Sequence, residues 1–151
     1  IVQNAIDLVN SLGARPKVAI LSAADSISSA LPSSTDATAL CKMAERGQIH
    51  GGDIDGPLSF DSAISPAAAQ AKGLKSEVAG QANILVVPNI EVGDMLAKQL
   101  SFMAGAVVAE IVLGGQVPII LNNAAASEQT RVASAAIATA LAHAKAAANK
   151  S

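Results

Sequence analysis

The alternation of short apolar runs with segments of helical periodicity constrains the fold most. Residues 16–23 (PKVAILSA) and 83–88 (NILVVP) are continuous apolar runs with the length of a strand. Apolar residues at helical spacing precede the first run over 1–12 and follow the second over 91–103. Strands that are apolar throughout and alternate with helices are typical of a parallel sheet covered on both faces. The sequence therefore predicts an α/β fold with a mostly parallel sheet.

The rest of the chain continues this alternation. The further predicted elements are a helix over 37–47 that Asp36 caps, a strand within 49–57 (IHGGDIDGP) that runs into a Gly- and Asp-rich turn, strands at 109–114 and 117–121, and an alanine-rich helix over 127–148 that Ser127 caps. The glycines of GGDIDG match neither a dinucleotide-binding nor a phosphate-loop fingerprint, so a tight turn is their predicted role.

Composition limits the classes of partner. The net charge is −2 and the basic residues are scattered, so no nucleic acid is predicted as a ligand. No uninterrupted apolar run reaches about 18 residues, so no membrane span is predicted. Cys41 is the only cysteine, which agrees with a reducing compartment and favours a cytoplasmic location. His50 and His143 lack ligand spacing, so no metal site is predicted.

A candidate anion site follows the last predicted strand. There the chain passes through Asn122 and Asn123 to a helix that starts at Ser127, and such junctions gather free backbone N–H groups and a helix dipole. Lys98 is either a solvated lysine or, as a lysine beside an α/β cleft, a phosphate partner. Asp55 either caps a helix or is solvated, or its carboxylate points into a cleft. Residue patterns alone therefore predict an α/β domain with an anion site.

Four stretches in order resemble the phosphate acetyl/butyryltransferase family, namely 36–65, 71–80, 84–102 and 111–121. The most specific signatures are DGPLSFDSAIS at 55–65 and VPNIEVGDMLAKQL at 87–100, which are long and ungapped. The resemblance extends from about Ile1 to Ala142. It is strongest to the branch that is often fused to an enoyl-CoA hydratase domain.

The resemblance implies reversible transfer of an acyl group between coenzyme A and inorganic phosphate, with coenzyme A as substrate and no permanently bound cofactor. It also implies two α/β/α domains similar to the isocitrate/isopropylmalate dehydrogenase fold, with the active site in the cleft between them. Residues 1–111 then correspond to an inserted second domain and 112–151 to the segment that completes the first. We expect the chain to be the C-terminal half of such an enzyme, to form a homodimer, and to leave an apolar surface uncovered, including the strand edge at 117–121.

The resemblance also implies roles for the residues at the junction between the last predicted strand and the last helix. The family usually has Thr-Ser-Arg-Ala-Asp-Ser there; the Ser assists the thiol or the acyl group, the Arg holds phosphate, and the Asp is the base for the thiol. Aligned without gaps, Asn122 and Asn123 take the Thr and Ser positions. Ala124 and Ala126 take the Arg and Asp positions, and Ser127 keeps the last Ser. Smaller departures are Asn89, where Asp is usual, and Asp94, where the family has Asn after Gly93.

We therefore predict Asn123 and Ser127 as catalytic positions, and Asn122, Asp55 and Lys98 as substrate-binding residues. The predicted function is a phosphate acyltransferase whose catalysis is impaired, because alanine neither binds phosphate nor accepts a proton. One alternative is an inactive homologue that binds coenzyme A or acyl phosphate, or that serves only as an assembly domain. A decarboxylating dehydrogenase of the same fold is disfavoured, because the sequence shows no arrangement of metal-binding aspartates.

Overall fold

The structure, a computed structural model, describes residues 1–121 and 126–148 and confirms the predicted α/β class. In chain order the helices and strands are α1 (Val2–Ser11), β1 (Lys17–Leu21), α2 (Pro32–Glu45), β2 (Asp53–Leu58), α3 (Phe60–Ile64), α4 (Pro66–Ala71), β3 (Ile84–Val86), α5 (Ile90–Ala104), β4 (Ile111–Val112), β5 (Ile119–Ile120) and α6 (Glu128–Ala148). Among the described residues, no helix combines the length and the apolarity that crossing a bilayer requires.

The main sheet has three parallel strands in the order β2-β1-β3. Val18 of the central strand pairs with Ile54 on one side and Ile84 on the other. In this order β2 and β3 flank β1, so the connection that leaves β1 runs toward one edge of the sheet and the connection that enters β3 runs toward the other. The carboxyl ends of β1 and β3 therefore meet at a switch point, where open α/β sheets usually have a crevice.

Hydrophobic residues cover both faces of this sheet, as the apolar runs predict. Side chains alternate along β1, so that Val18 and Ile20 face one layer while Ala19 and Leu21 face the other. The first layer is a core of Val2, Ile6, Val18, Ile20, Ala37, Ile49 and Ile84. The second is a core of Ala19, Leu21, Leu58, Ala63, Ala69, Val78 and Ala79.

The strand within 49–57 lies later than predicted. The turn comes first, and Gly51 in it has a φ of +86°, a left-handed conformation that favours glycine. The strand then runs over Asp53–Leu58 and includes Gly56. A Cβ at Gly56 would stand 2.8 Å from both the Cβ and the carbonyl oxygen of Ile20. Close approach of β1 and β2, rather than a turn, therefore requires this glycine.

The prediction that Asp36 caps the second helix is wrong, because α2 begins four residues earlier and Asp36 lies inside it. Pro32 occupies the first turn, and Leu31 is the N-cap residue. Proline fits that position because its φ is already helical and its missing N–H would have no partner inside the helix.

The last two strands form an antiparallel pair, in which Ile111 lies opposite Ile120. The parallel arrangement is therefore limited to β1, β2 and β3. The hydroxyl of Ser134, a buried residue of α6, accepts a hydrogen bond from the backbone N–H of Glu110 at 3.0 Å. This contact fixes the first described turns of α6 against the segment that leads into β4.

Candidate active site

A cleft of about 580 Å³ lies between α5 and the start of α6. Its described lining comprises Asp94, Ala97, Lys98, Ser101, Phe102, Val108, Glu110, Ala126, Ser127 and Thr130. Two of the predicted site residues, Lys98 and Ser127, thus line one cleft although 29 positions separate them in the sequence. The lining of the cleft includes a cation, Lys98, and two carboxylates, Asp94 and Glu110.

Helical spacing explains which residues of α5 line the cleft. Asp94, Ala97, Lys98 and Ser101 recur three and four residues apart, so they share one face of the helix. Asn89 is the N-cap residue of the helix, and its Oδ1 atom accepts a hydrogen bond from the Val92 N–H at 3.0 Å. Asn89, one of the departures noted from the resemblance, thus acts as the N-cap of α5.

Lys98 and Asp94 form an ion pair across one turn of α5. The Lys98 Nζ atom lies 2.7 Å from Asp94 Oδ2, and both side chains are more than half exposed. Ion pairs with this exposure contribute roughly 0 to 1 kcal/mol. An anionic group that enters the cleft can therefore compete with Asp94 for the ammonium.

Ser127 caps α6, as predicted. Its Oγ atom accepts a hydrogen bond from the Thr130 N–H at 3.1 Å and lies 3.0 Å from the Thr130 hydroxyl oxygen. Because α6 has 21 residues and starts at this cleft, the positive end of its dipole lies at the cleft. The arrangement favours an anionic ligand between Lys98 and the first turn of α6.

The other predicted site residues do not all lie in the described part of the cleft. Asn122, Asn123 and Ala124 lie outside the described residues. Ala126 lines the cleft and offers it only a methyl group. Asp55 lies in β2, where its Oδ1 atom accepts the N–H of Gly56 at 2.8 Å, and it is not among the described residues that line the cleft.

Cys41 is partly buried. Burial, followed by the negative charges of Asp55 and Glu45, raises the pKa of the Cys41 thiol to about 11. Its Sγ atom lies 3.5 Å from the Gly56 carbonyl oxygen, to which the thiol donates. The thiol is therefore protonated at neutral pH and is a poor nucleophile.

Sequence analysis missed a second polar cluster, at the carboxyl ends of β1 and β2. The ammonium of Lys72 lies 3.0 Å from Asp25 Oδ2, 2.9 Å from Asp61 Oδ2, 2.8 Å from Ser59 Oγ and 2.9 Å from Ser62 Oγ. Only the polar run after β2 hinted at this cluster, because Asp25 and Lys72 are 47 positions apart. One cation between two carboxylates makes it a structural crosslink rather than an anion site.

The cluster holds its carboxylates ionised. The hydrogen bond from Lys72, with a second from Ser59, lowers the pKa of Asp61 to about 2. Burial opposes ionisation of Asp25, but hydrogen bonds from the Ser59 N–H and from Lys72 outweigh it, so the pKa of Asp25 is lowered as well. Within 1–121 and 126–148, no three His, Cys, Asp or Glu side chains are grouped closely enough to hold a metal ion.

Comparison with known proteins identifies the family. Residues 1–139 match the family described as "Phosphate acetyl/butaryl transferase". The chain belongs to this family. The matched range includes both sides of the cleft, so Lys98 and Ser127 lie in the part of the chain that carries the membership.

Individual members of the phosphate acetyl/butyryltransferase family support this assignment. A phosphate acetyltransferase of Rhizobium meliloti is 56% identical over 139 residues, which are 91% of this chain and 44% of that protein. A phosphate butyryltransferase of Clostridium acetobutylicum is 40% identical over 139 residues, 91% of this chain and 46% of that protein. A branched-chain phosphotransacylase from Enterococcus faecalis V583 superposes with a TM-score of 0.85 at 35% identity, covering 95% of this chain and 51% of its own. The chain thus spans about half the length of these family members.

Proposed function

We propose that this chain supplies one part of the active site of a phosphate acyltransferase, which transfers an acyl group between coenzyme A and inorganic phosphate. The cleft that brings Lys98 and the start of α6 together carries this proposal. An acyl phosphate requires a cation and oriented N–H donors, and Lys98 and the first turn of α6 are suited to supply them. Coenzyme A is a substrate in this proposal, and no cofactor is permanently bound.

The chemistry assigns roles to the residues of the cleft. The sulfur of coenzyme A attacks the carbonyl carbon of the acyl phosphate, a C–S bond forms, and the C–O bond to phosphate breaks. Lys98 binds the phosphate group and stabilises the charge that it gains on leaving. Ser127 and Asn123 are proposed to face the reacting acyl group, while Asn122 and Asp55 are proposed to bind substrate at a greater distance.

Transferase activity is further proposed to need more sequence than these 151 residues, because the chain spans only 44% to 46% of the two transferases compared above. We retain the division into an inserted domain, 1–111, and a segment that completes a first domain, 112–151. Support comes from the main sheet, which lies wholly within the first range, and from α6, which lies in the second. A homodimer in the cytoplasm belongs to the same proposal.

Two uncovered apolar surfaces support the need for further protein. In α5 none of the fifteen residues is buried, and Met95 and Met103 are 67% and 81% exposed. The 117–121 edge is exposed as predicted, with Ile119 at 52%. Apolar surfaces of this kind usually mark an interface.

The test is thioester formation by the intact gene product with coenzyme A and either acetyl phosphate or butyryl phosphate. We expect an increase in thioester absorbance with release of one phosphate for each thioester formed. The 151-residue chain alone serves as the comparison and is expected to give the background rate. No thioester above the uncatalysed rate from the intact gene product would contradict the proposal.

A second candidate is a homologue that binds coenzyme A or acyl phosphate without turnover, or that only assembles with other chains. It is favoured by Ala124 and Ala126, which bring neither a guanidinium nor a carboxylate to the junction. Titration calorimetry with coenzyme A distinguishes the two candidates. Binding by the intact gene product without any thioester formation would support the second.

A further inference from the structure

The transfer proposed above needs a base, because a thiol attacks an acyl carbon as its thiolate. Residues 121–127, which connect β5 to α6, carry no charged side chain. Among the described residues that line the cleft, the carboxylates are Asp94 and Glu110. A carboxylate base in this part of the cleft therefore has to be one of these two.

The position of the ion pair favours Asp94 over Glu110. The acyl carbon of an acyl phosphate is bonded to a phosphate oxygen, so a base beside the phosphate-binding ammonium lies beside the reacting atoms. Asp94 Oδ2 is 2.7 Å from Lys98 Nζ. Glu110 instead belongs to the segment before β4, where its backbone is bound to Ser134 of α6.

Resting on the proposed function, we propose that Asp94 is the general base that takes the proton from coenzyme A. Lys98 holds the carboxylate until the phosphate group of the substrate replaces it as the partner of the ammonium. Asp94 then accepts the thiol proton, the sulfur electron pair forms the C–S bond, and the C–O bond electrons leave with the phosphate. Transfer of the proton from Asp94 to the departing phosphate regenerates the carboxylate.

The test compares wild type and Asp94→Asn in the intact gene product, using acetyl phosphate and coenzyme A. Loss of a positioned base is expected to lower kcat about 100-fold at pH 7. The KM for acetyl phosphate should stay equal or fall, because Lys98 loses its competing partner. At pH 9.5 the defect should shrink to about tenfold or less, since a free thiol ionises near pH 8.5 without help.

Glu91→Gln is the matched control, because Glu91 is an exposed carboxylate of the same helix that is not among the described residues of the cleft. Its kcat should stay within about twofold of wild type. Calorimetry with inorganic phosphate shows whether the Asp94→Asn protein retains a folded site. If that variant does not fold, Asp94→Ser replaces it with the same expectations.

Three results would overturn the assignment of Asp94. In the first, Asp94→Asn keeps more than a third of the wild-type kcat. In the second, the decrease in kcat of Asp94→Asn is as large at pH 9.5 as at pH 7. In the third, Glu110→Gln lowers kcat about 100-fold and Asp94→Asn does not. All three require an active wild type, so in each of them the proposed function still stands. A wild type that forms no thioester would overturn the proposed function and the base together.

Discussion

The Nζ atom of Lys98 lies 2.7 Å from Oδ2 of Asp94, one turn earlier on the same exposed face of α5. This face lines the polar cleft. The opposite face, with Val92, Met95, Leu96 and Gln99, lines a separate cavity of about 530 Å³ at the carboxyl ends of β1 and β3. The helix therefore separates a charged cleft from an apolar cavity, and its position determines the geometry of both.

The crosslink at Lys72 predicts an acid-sensitive fold. Because the pKa of Asp61 (about 2) and that of Asp25 are lowered in the folded state, stability from these carboxylates is present above about pH 4. It is lost as the pH falls from there toward 2. The free energy of unfolding, measured in urea across this range, should decline more steeply in wild type than in Lys72→Met.

Lys75→Met is the control for that comparison, because Lys75 is an exposed lysine three positions away that is outside the crosslink. It should keep the wild-type dependence on pH. Equal acid dependence in wild type and Lys72→Met would show that the crosslink does not stabilise the fold.

Cys41 should react slowly in the native state. With a pKa of about 11, its thiolate fraction at pH 8 is far below that of a free thiol. Alkylation by iodoacetamide at pH 8 should be about 100-fold slower in the native protein than in urea, as mass spectrometry over time can measure. Equal rates in the two conditions would mean that neither partial burial nor the Gly56 carbonyl protects the Cys41 thiol.

Gly56→Ala should destabilise the main sheet. The new Cβ would meet Ile20 at 2.8 Å in the middle of the β1–β2 pair, where neither backbone can move freely. We expect a loss of about 2 to 3 kcal/mol in unfolding free energy. Gly47→Ala is the control; it has open space around the new Cβ and a φ of +73°, so a loss of roughly 1 kcal/mol is expected. Equal losses would contradict the close approach.

The exposed methionines of α5 test whether this helix is covered by further protein. Met95→Gln/Met103→Gln keeps helix propensity nearly constant while it removes apolar surface. In the 151-residue chain, unfolding free energy should change by less than about 0.5 kcal/mol. In the intact gene product, thermal stability should fall and sedimentation velocity should show fewer dimers. A double variant that behaves like wild type in both proteins would exclude α5 from any interface.

The α/β arrangement was predictable because apolar runs and helical spacing are visible within short segments of sequence. The central strand is apolar from Val18 to Leu21, and the helices beside it carry regular apolar spacing. The antiparallel pairing of β4 with β5 was not predictable in this way, because two-residue strands have no periodicity to read. The start of α2 depended on Pro32, whose preference for the first turn outweighs the capping preference of Asp36.

The site was predictable only in part. The meeting of Lys98 with Ser127 depends on how α5 and α6 approach each other, and residue patterns carry no information on that approach. The sequence offered both residues as candidates without placing them together. The ion pair of Lys98 with Asp94 was within reach of sequence reasoning, because residues four apart on a helix are neighbours. The Lys72 crosslink joins segments 47 positions apart, and the polar run after β2 was its only local sign.

The most direct measurement is the steady-state rate of thioester formation by the intact gene product with Lys98→Met, compared with wild type and Lys75→Met. Loss of a charged contact to phosphate predicts a fall in kcat/KM for acetyl phosphate of roughly 10- to 100-fold, with the KM for coenzyme A little changed. Lys75→Met should match wild type. A Lys98→Met protein that keeps the wild-type kcat/KM for acetyl phosphate would contradict the assignment of this cleft as the phosphate site.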